Sequence, residues 1–220
     1  IIATFITFLY YPNDLKQSKK VSKISFKYNN KLVQIYLGSF FLSLILSIML
    51  YVFPLIWRDL GTLNEDLFST YLKIFLPAAI IVYPSIRFFE KIKKVNIAIN
   101  LGWFFLIVAF LAYILLPSNI YTFYSLGILF FLGSSVFQSL LPSLLSLNVS
   151  SDLRATGNGP FYIMNFLGHA VGSIFAGAIY MKDFYFGFDK NFLICIICIL
   201  LIALWISVGL PKYSIKENSQ

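Results

Sequence analysis

The chain has 220 residues, 59% of them hydrophobic and 12% charged, with a formal net charge of +8. A water-soluble fold of that composition would leave more apolar surface than it could cover, which excludes an ordinary soluble domain and makes the lipid bilayer the natural solvent. The basic excess falls between hydrophobic runs rather than along one face, and no zinc-ligand or other nucleic-acid signature accompanies it, so nucleic acid is excluded as a partner.

Residues 1–11, IIATFITFLYY, have neither the basic flank nor the cleavage site of a secretory signal and read as the end of a preceding transmembrane helix. Residues 12–32, rich in lysine and serine, read as a cytoplasmic linker. Residues 33–210 then divide into six apolar runs of about 20 residues, the length that spans a bilayer. The predicted fold class is therefore all-α, a polytopic six-transmembrane-helix bundle.

The first span is expected from Val33 to Ile56 and the second from Leu67 to Ile86. Pro77 and Pro84 in the second are tolerated because neighbouring groups or water can satisfy the carbonyls that a proline frees. The third runs from Val95 to Leu116, with an exit turn at Pro117-Ser118-Asn119, and the fourth from Ile120 to Leu145, breaking near Pro142. The fifth, Gly159 to Tyr180, places Pro160 in its first turn, where the missing amide costs nothing. The sixth, Phe192 to Leu210, stops at Pro211, and residues 211–220 form a polar cytoplasmic tail. No internal sequence repeat is evident, although two helix triplets of inverted topology would leave only a faint trace. Cys195 and Cys198, a CxxC string, lie within an apolar run without further ligands, which predicts packing rather than redox or metal chemistry.

Basic loops stay cytoplasmic. Thirteen lysines and arginines fall on one side of the spans: six between Lys16 and Lys31, then Arg87, Lys91, Lys93, Lys94, Arg154, Lys212 and Lys216. Only Arg58, Lys182 and Lys190 fall on the other. Both ends of the chain are therefore expected in the cytoplasm. Lys73, near the outer end of the second span, can snorkel to the interface.

Polar residues at membrane depth face other helices or a wet cavity. Ser39, Ser43, Ser47 and Tyr51 make one stripe on the first span; Ser135, Gln138, Ser139, Pro142 and Ser146 make another on the fourth. On the fifth, Asn158, Tyr162, Asn165, His169 and Ser173 recur every three or four residues. Each stripe alone suits helix-to-helix hydrogen bonding, whereas together they outline a polar cavity. Ser43, Tyr51, Gln138, Asn165 and His169 are the substrate-cavity candidates. His169, the only histidine, is either a proton carrier or solute ligand or a packed neutral side chain. Gly168, Gly172 and Ala176 form a small-residue face for close helix packing. No Asp or Glu falls within a predicted span, so a carboxylate that couples proton movement is not expected in this bundle.

The stretch SSVFQSLLPSLLS, followed by RATGNG and FLGHAVGSIFAGAIY, resembles the corresponding region of drug/proton antiporters of the major facilitator superfamily. Leu141, Pro142, Ser143, Leu144 and Ser146 match the helix end, Arg154, Thr156 and Gly159 the loop, and Phe166, Leu167, Gly168 and Gly172 the helix that follows. Glu90, Lys91, Ile92, Lys93 and Lys94 look like a degenerate, glycine-free copy of the superfamily's acidic-basic cytoplasmic loop motif. Gln138 departs from the pattern, since a carboxylate is expected there. The resemblance implies the carboxyl-terminal half of a twelve-helix fold in a plasma membrane, the inner membrane of a bacterium. It also implies a missing amino-terminal six-helix half as partner and a small-molecule substrate, with no cofactor and with proton coupling possible.

The leading expectation is secondary transport of a small solute, such as drug or metabolite efflux, by alternating access. A truncated, inactive transporter remnant is the alternative. An integral-membrane enzyme would need a cluster of acid, base, nucleophile or metal ligands, and the sequence shows no acidic pair, no HExxH and no nucleophile beside a histidine, so no enzymatic activity is expected.

Overall fold

The computed structural model describes residues 29–60, 67–91, 94–117, 119–150, 153–181, 184–185 and 188–211. The expected preceding helix end at 1–11, most of the linker and the tail from 212 lie outside them. Six long helices follow in order: α1 (Asn30–Asp59), α2 (Leu67–Lys91), α3 (Val95–Leu115), α4 (Ile120–Asn148), α5 (Arg154–Tyr180) and α6 (Lys190–Val208). All six are long and apolar enough to cross a membrane. Between α5 and α6 lie two two-residue strands, β1 (Phe184–Tyr185) and β2 (Phe188–Asp189), paired antiparallel.

Several boundaries differ from the expected ones, mostly in the same direction. α1 extends three residues beyond its apolar run at each end, and α2 continues from Ile86 to Lys91, taking up Arg87, Glu90 and Lys91 that had been assigned to a loop. α5 begins at Arg154 rather than Gly159, so Arg154 belongs to its first turn and Pro160 lies well inside the helix. The helices continue where side chains turn polar, because polar side chains are tolerated at the interface and do not interrupt the backbone hydrogen bonds that the apolar span has already propagated. α4 runs unbroken through Pro142 to Asn148. One proline removes a single amide, and packing on both sides of α4 holds the helix together across it. α6 is displaced by two residues toward the N-terminus, because Asp189 caps it: its carboxylate accepts from the amides of Asn191 (2.7 Å) and Phe192 (3.4 Å).

α1 and α4 occupy the centre, each with 67% of its apolar window buried, whereas α2 and α5 bury only 22%. α1 packs on α5 and α4 on α2; α3 packs on α4 and α6 on α1; α1 meets α4, and α3 meets α6. Exchanging α1–α3 with α4–α6 maps each of these contacts onto another in the set or onto itself. Helices three spans apart run in opposite directions, so the two triplets form an inverted repeat in the pattern of helix pairing, although no repeat is evident in their residues.

The centre is aromatic. Phe53 of α1 lies 5.3 to 6.4 Å from the rings of Tyr71, Phe123, Phe130 and Phe131, joining α1, α2 and α4. Glycines allow the close approaches around it: a methyl on Gly133 would lie 2.9 Å from the Gly102 carbonyl oxygen of α3. Proline 54 leaves the Leu50 carbonyl without its helical donor, and the Tyr71 hydroxyl donates to that oxygen, though at 3.4 Å. Cys195 and Cys198 are free thiols buried in α6, as the apolar reading of that string expects.

Candidate functional site

Two polar assemblies stand out, and they divide the sequence candidates between them. The first is the seam between α1 and α5. Tyr36 donates to the Gly157 carbonyl at 3.0 Å, Ser39 to the Phe161 carbonyl at 3.4 Å, and Ser47 to the His169 carbonyl at 2.9 Å. The Asn165 amide donates to Ser43 Oγ at 2.6 Å, and Ser47 and Ser173 hydroxyls lie 2.6 Å apart. Residue numbers rise together on both helices, so α1 and α5 run parallel and their four-residue polar periods stay in register. This is how hydroxyls and amides hold helices together where lipid supplies no hydrophobic drive.

The glycine face lies within this seam. A methyl on Gly168 would run into the Phe40 carbonyl oxygen, and one on Gly172 into that of Leu44. Ala176 continues the face and is fully buried. Gly168 and Gly172 thus sit directly against the α1 backbone.

Ser43 is accordingly buried between helices and paired with Asn165. His169 is half-buried at the edge of the seam and contributes its backbone carbonyl. Tyr51 is 43% exposed at the far end, its ring edge-to-face with Tyr180. Tyr180 in turn hydrogen bonds Asn191 at the start of α6. Of the loop-motif residues, Lys91 ends α2 and Lys94 immediately precedes α3 without a side-chain hydrogen bond to its first turn, while Lys93 lies outside the described residues.

We expect the Ser43–Asn165 bond to be measurable as coupling. In a double-mutant cycle with Ser43→Ala and Asn165→Ala, the interaction energy should be about 0.6 kcal/mol, the mean for hydrogen bonds between membrane helices, and no more than about 1.7 kcal/mol. Unfolding of the purified protein in mixed micelles reads it; a coupling of zero would mean that the pair carries no seam stability.

The second assembly is a groove between α2 and α4. A cavity of about 700 Å³ is lined by Tyr83, Pro84, Ile86, Arg87, Gln138 and Ser139. Beside it lies a recess of about 330 Å³, walled by Leu46, Leu50, Tyr71, Leu72, Phe75 and Phe131, and Gln138 borders both. Gln138 is ten residues, about 15 Å of helix, from the end of α4. Pro142 leaves the Gln138 carbonyl without its helical donor, giving the groove a backbone acceptor beside the amide side chain.

No family model matches the chain, and no curated protein matches it in sequence.

Gln138 links the sequence candidates to this groove, whereas Ser43, Asn165 and His169 belong to the seam. Tyr83 and Arg87 are not among the sequence candidates: a second span that ends at Ile86 leaves Arg87 in a loop, and Tyr83 alone makes no polar stripe. With α2 continued by one turn, Tyr83 and Arg87 fall four residues apart on one face, a spacing that was visible in the sequence.

Proposed function

We propose that the chain is a six-helix bundle of a secondary transporter that moves a small solute across a membrane by alternating access. The observation that carries this reading is the inverted packing repeat: two three-helix units, related by exchange, meet at α1 and α4 beside the α2–α4 groove. Transporters of this kind place their solute sites at the repeat interface and rock one unit or bundle against another. The resemblance of the Leu141–Ser146 and Phe166–Gly172 stretches to drug/proton antiporters of the major facilitator superfamily points the same way. In that reading a second six-helix bundle covers the sparsely buried faces of α2 and α5, and the basic loops hold both chain ends in the cytoplasm.

The test is two-sided access to Gln138. Cys195 and Cys198 are buried, so a Gln138→Cys variant supplies the reactive thiol against a quiet background. Membrane-impermeant methanethiosulfonate reagents, applied to intact cells and to inverted vesicles, are expected to modify it from both faces. Modification from one face only, or from neither, would overturn alternating access through this groove.

A further inference from the structure

The geometry points to an amphipathic organic anion as the ligand of the α2–α4 groove, with Arg87 holding its carboxylate, sulfonate or phosphate and the apolar recess holding its body. This rests on the transporter reading and names the chemical class of its solute.

Arg87 is the charged residue among those lining the larger cavity, and its guanidinium offers five N–H donors and no acceptor. It makes no ion pair or hydrogen bond among the described residues, and neither do the side chains of Tyr83, Gln138 and Ser139. Four polar side chains thus meet at one hollow without satisfying one another. Polar groups in a span that have no protein partner mark water-filled or solute-filled paths. Of the acidic residues, only Glu90, in the last turn of α2, belongs to either helix, and none is among the described residues that line the groove. The Arg58–Asp59 pair, at the opposite end of α1, leaves that carboxylate already engaged at 3.3 Å. The local field therefore favours an anion.

The choice of an amphipathic anion follows from the second compartment. Beyond Gln138 the lining changes to leucine, phenylalanine and tyrosine, with no charge among the described residues. The arginine fork offers paired donors to a planar or tetrahedral anion, the Gln138 amide and the Ser139 and Tyr83 hydroxyls can add further bonds, and the recess accepts an apolar group. The larger cavity is within the usual volume range for small-molecule sites. An interfacial arginine that merely snorkelled would need no such hollow beside it. The same chemistry is carried by a free organic anion and by the headgroup and chain of an acidic phospholipid, which the test separates.

The full chain, in nanodiscs of phosphatidylcholine, is titrated with naphthoate and with its neutral isostere naphthamide, using calorimetry. Naphthoate is expected to bind saturably and roughly tenfold more tightly. Arg87→Gln should remove that preference while leaving naphthamide binding unchanged, and Arg87→Lys should restore part of it. Phosphatidylglycerol is then added to the nanodiscs. If naphthoate affinity is unchanged, the site takes a free solute; if it falls, and native mass spectrometry shows phosphatidylglycerol retained by the wild type but not by Arg87→Gln, the occupant is the lipid. Equal binding of naphthoate and naphthamide, or a naphthoate preference that survives Arg87→Gln in a variant that elutes as wild type, would overturn the anion site. Two-sided access at position 138 without anion preference sinks the site alone. Anion binding without two-sided access sinks the transporter reading alone.

Discussion

Replacing Gly168 with leucine is expected to cost about 3 kcal/mol and to abolish the monodisperse folded protein. Overpacking a well-packed core usually costs about 1 to 3 kcal/mol, the strain of side chains forced off their rotamers and of small backbone shifts. At Gly168 the obstacle is the Phe40 carbonyl oxygen, part of the α1 backbone, which has no rotamer to change. Even alanine must push α1 and α5 apart, and that separation also lengthens the Ser39, Ser43 and Ser47 hydrogen bonds on either side. Gly168→Ala is therefore expected to fall between wild type and leucine. Gly159→Ala is the control: nothing lies within 4 Å of a methyl there, and its backbone is not in the left-handed region. It should leave stability unchanged or raise it by up to about 1 kcal/mol through helix propensity. Thermal unfolding followed by size-exclusion chromatography orders the three variants, and an unaffected Gly168→Leu would mean that the seam does not hold the bundle.

The helices themselves were legible because apolar length is so strong a signal in a membrane chain. Their ends were less so. Arg154, Lys91 and Asp189 are polar, and hydropathy stops where polarity begins, whereas the hydrogen-bonded backbone continues to the next cap. Polar periodicity on the first and fifth spans is visible in the sequence, but the partner of each side chain is not: Asn165 and Ser173 meet α1, whereas Asn158 and Tyr162 are exposed. Serines every four residues can line a cavity or meet another helix, and only the parallel pairing of α1 with α5 decides between them. Gln138 and Ser39 look alike in sequence; one borders a groove and the other is buried in a seam because α2 stands away from α4 where α5 lies tight on α1. The glycines at 168 and 172 explain that difference, since α2 has prolines at 77 and 84 where α5 has small residues. The inverted repeat was illegible for a related reason: packing directions persist under substitutions that erase sequence similarity.

Trp205→Ala is the second large effect expected. The Trp205 indole is fully buried in α6, with the Trp103 ring of α3 at 4.3 Å and the Phe137 ring of α4 at 4.8 Å, so it locks three helices together. In water such a truncation would cost about 3 to 5 kcal/mol. Lipid tails are as apolar as this core, so the transfer part of that cost shrinks and the lost van der Waals contacts remain, which places the expectation near 3 kcal/mol. The indole Nε1 has no hydrogen-bond partner among the described residues, and the edge-to-face Trp103 ring is a weak acceptor at best. Trp205→Phe removes that orphan donor along with some volume, so its cost should stay below about 1.5 kcal/mol. The neighbouring glycine supplies a sharper check. A methyl on Gly38 would sit 3.2 Å from Trp205 Nε1 and 3.1 Å from Leu141 and Leu210, a crowding that the smaller phenylalanine relieves at one of three contacts. Gly38→Ala should therefore be less destabilising in the Trp205→Phe background than in wild type, by about 0.5 to 1 kcal/mol. Strict additivity of the two substitutions in an unfolding titration would show that Nε1 does not press on Gly38, and a cost of Trp205→Ala below about 1 kcal/mol would show that the indole does not lock the three helices.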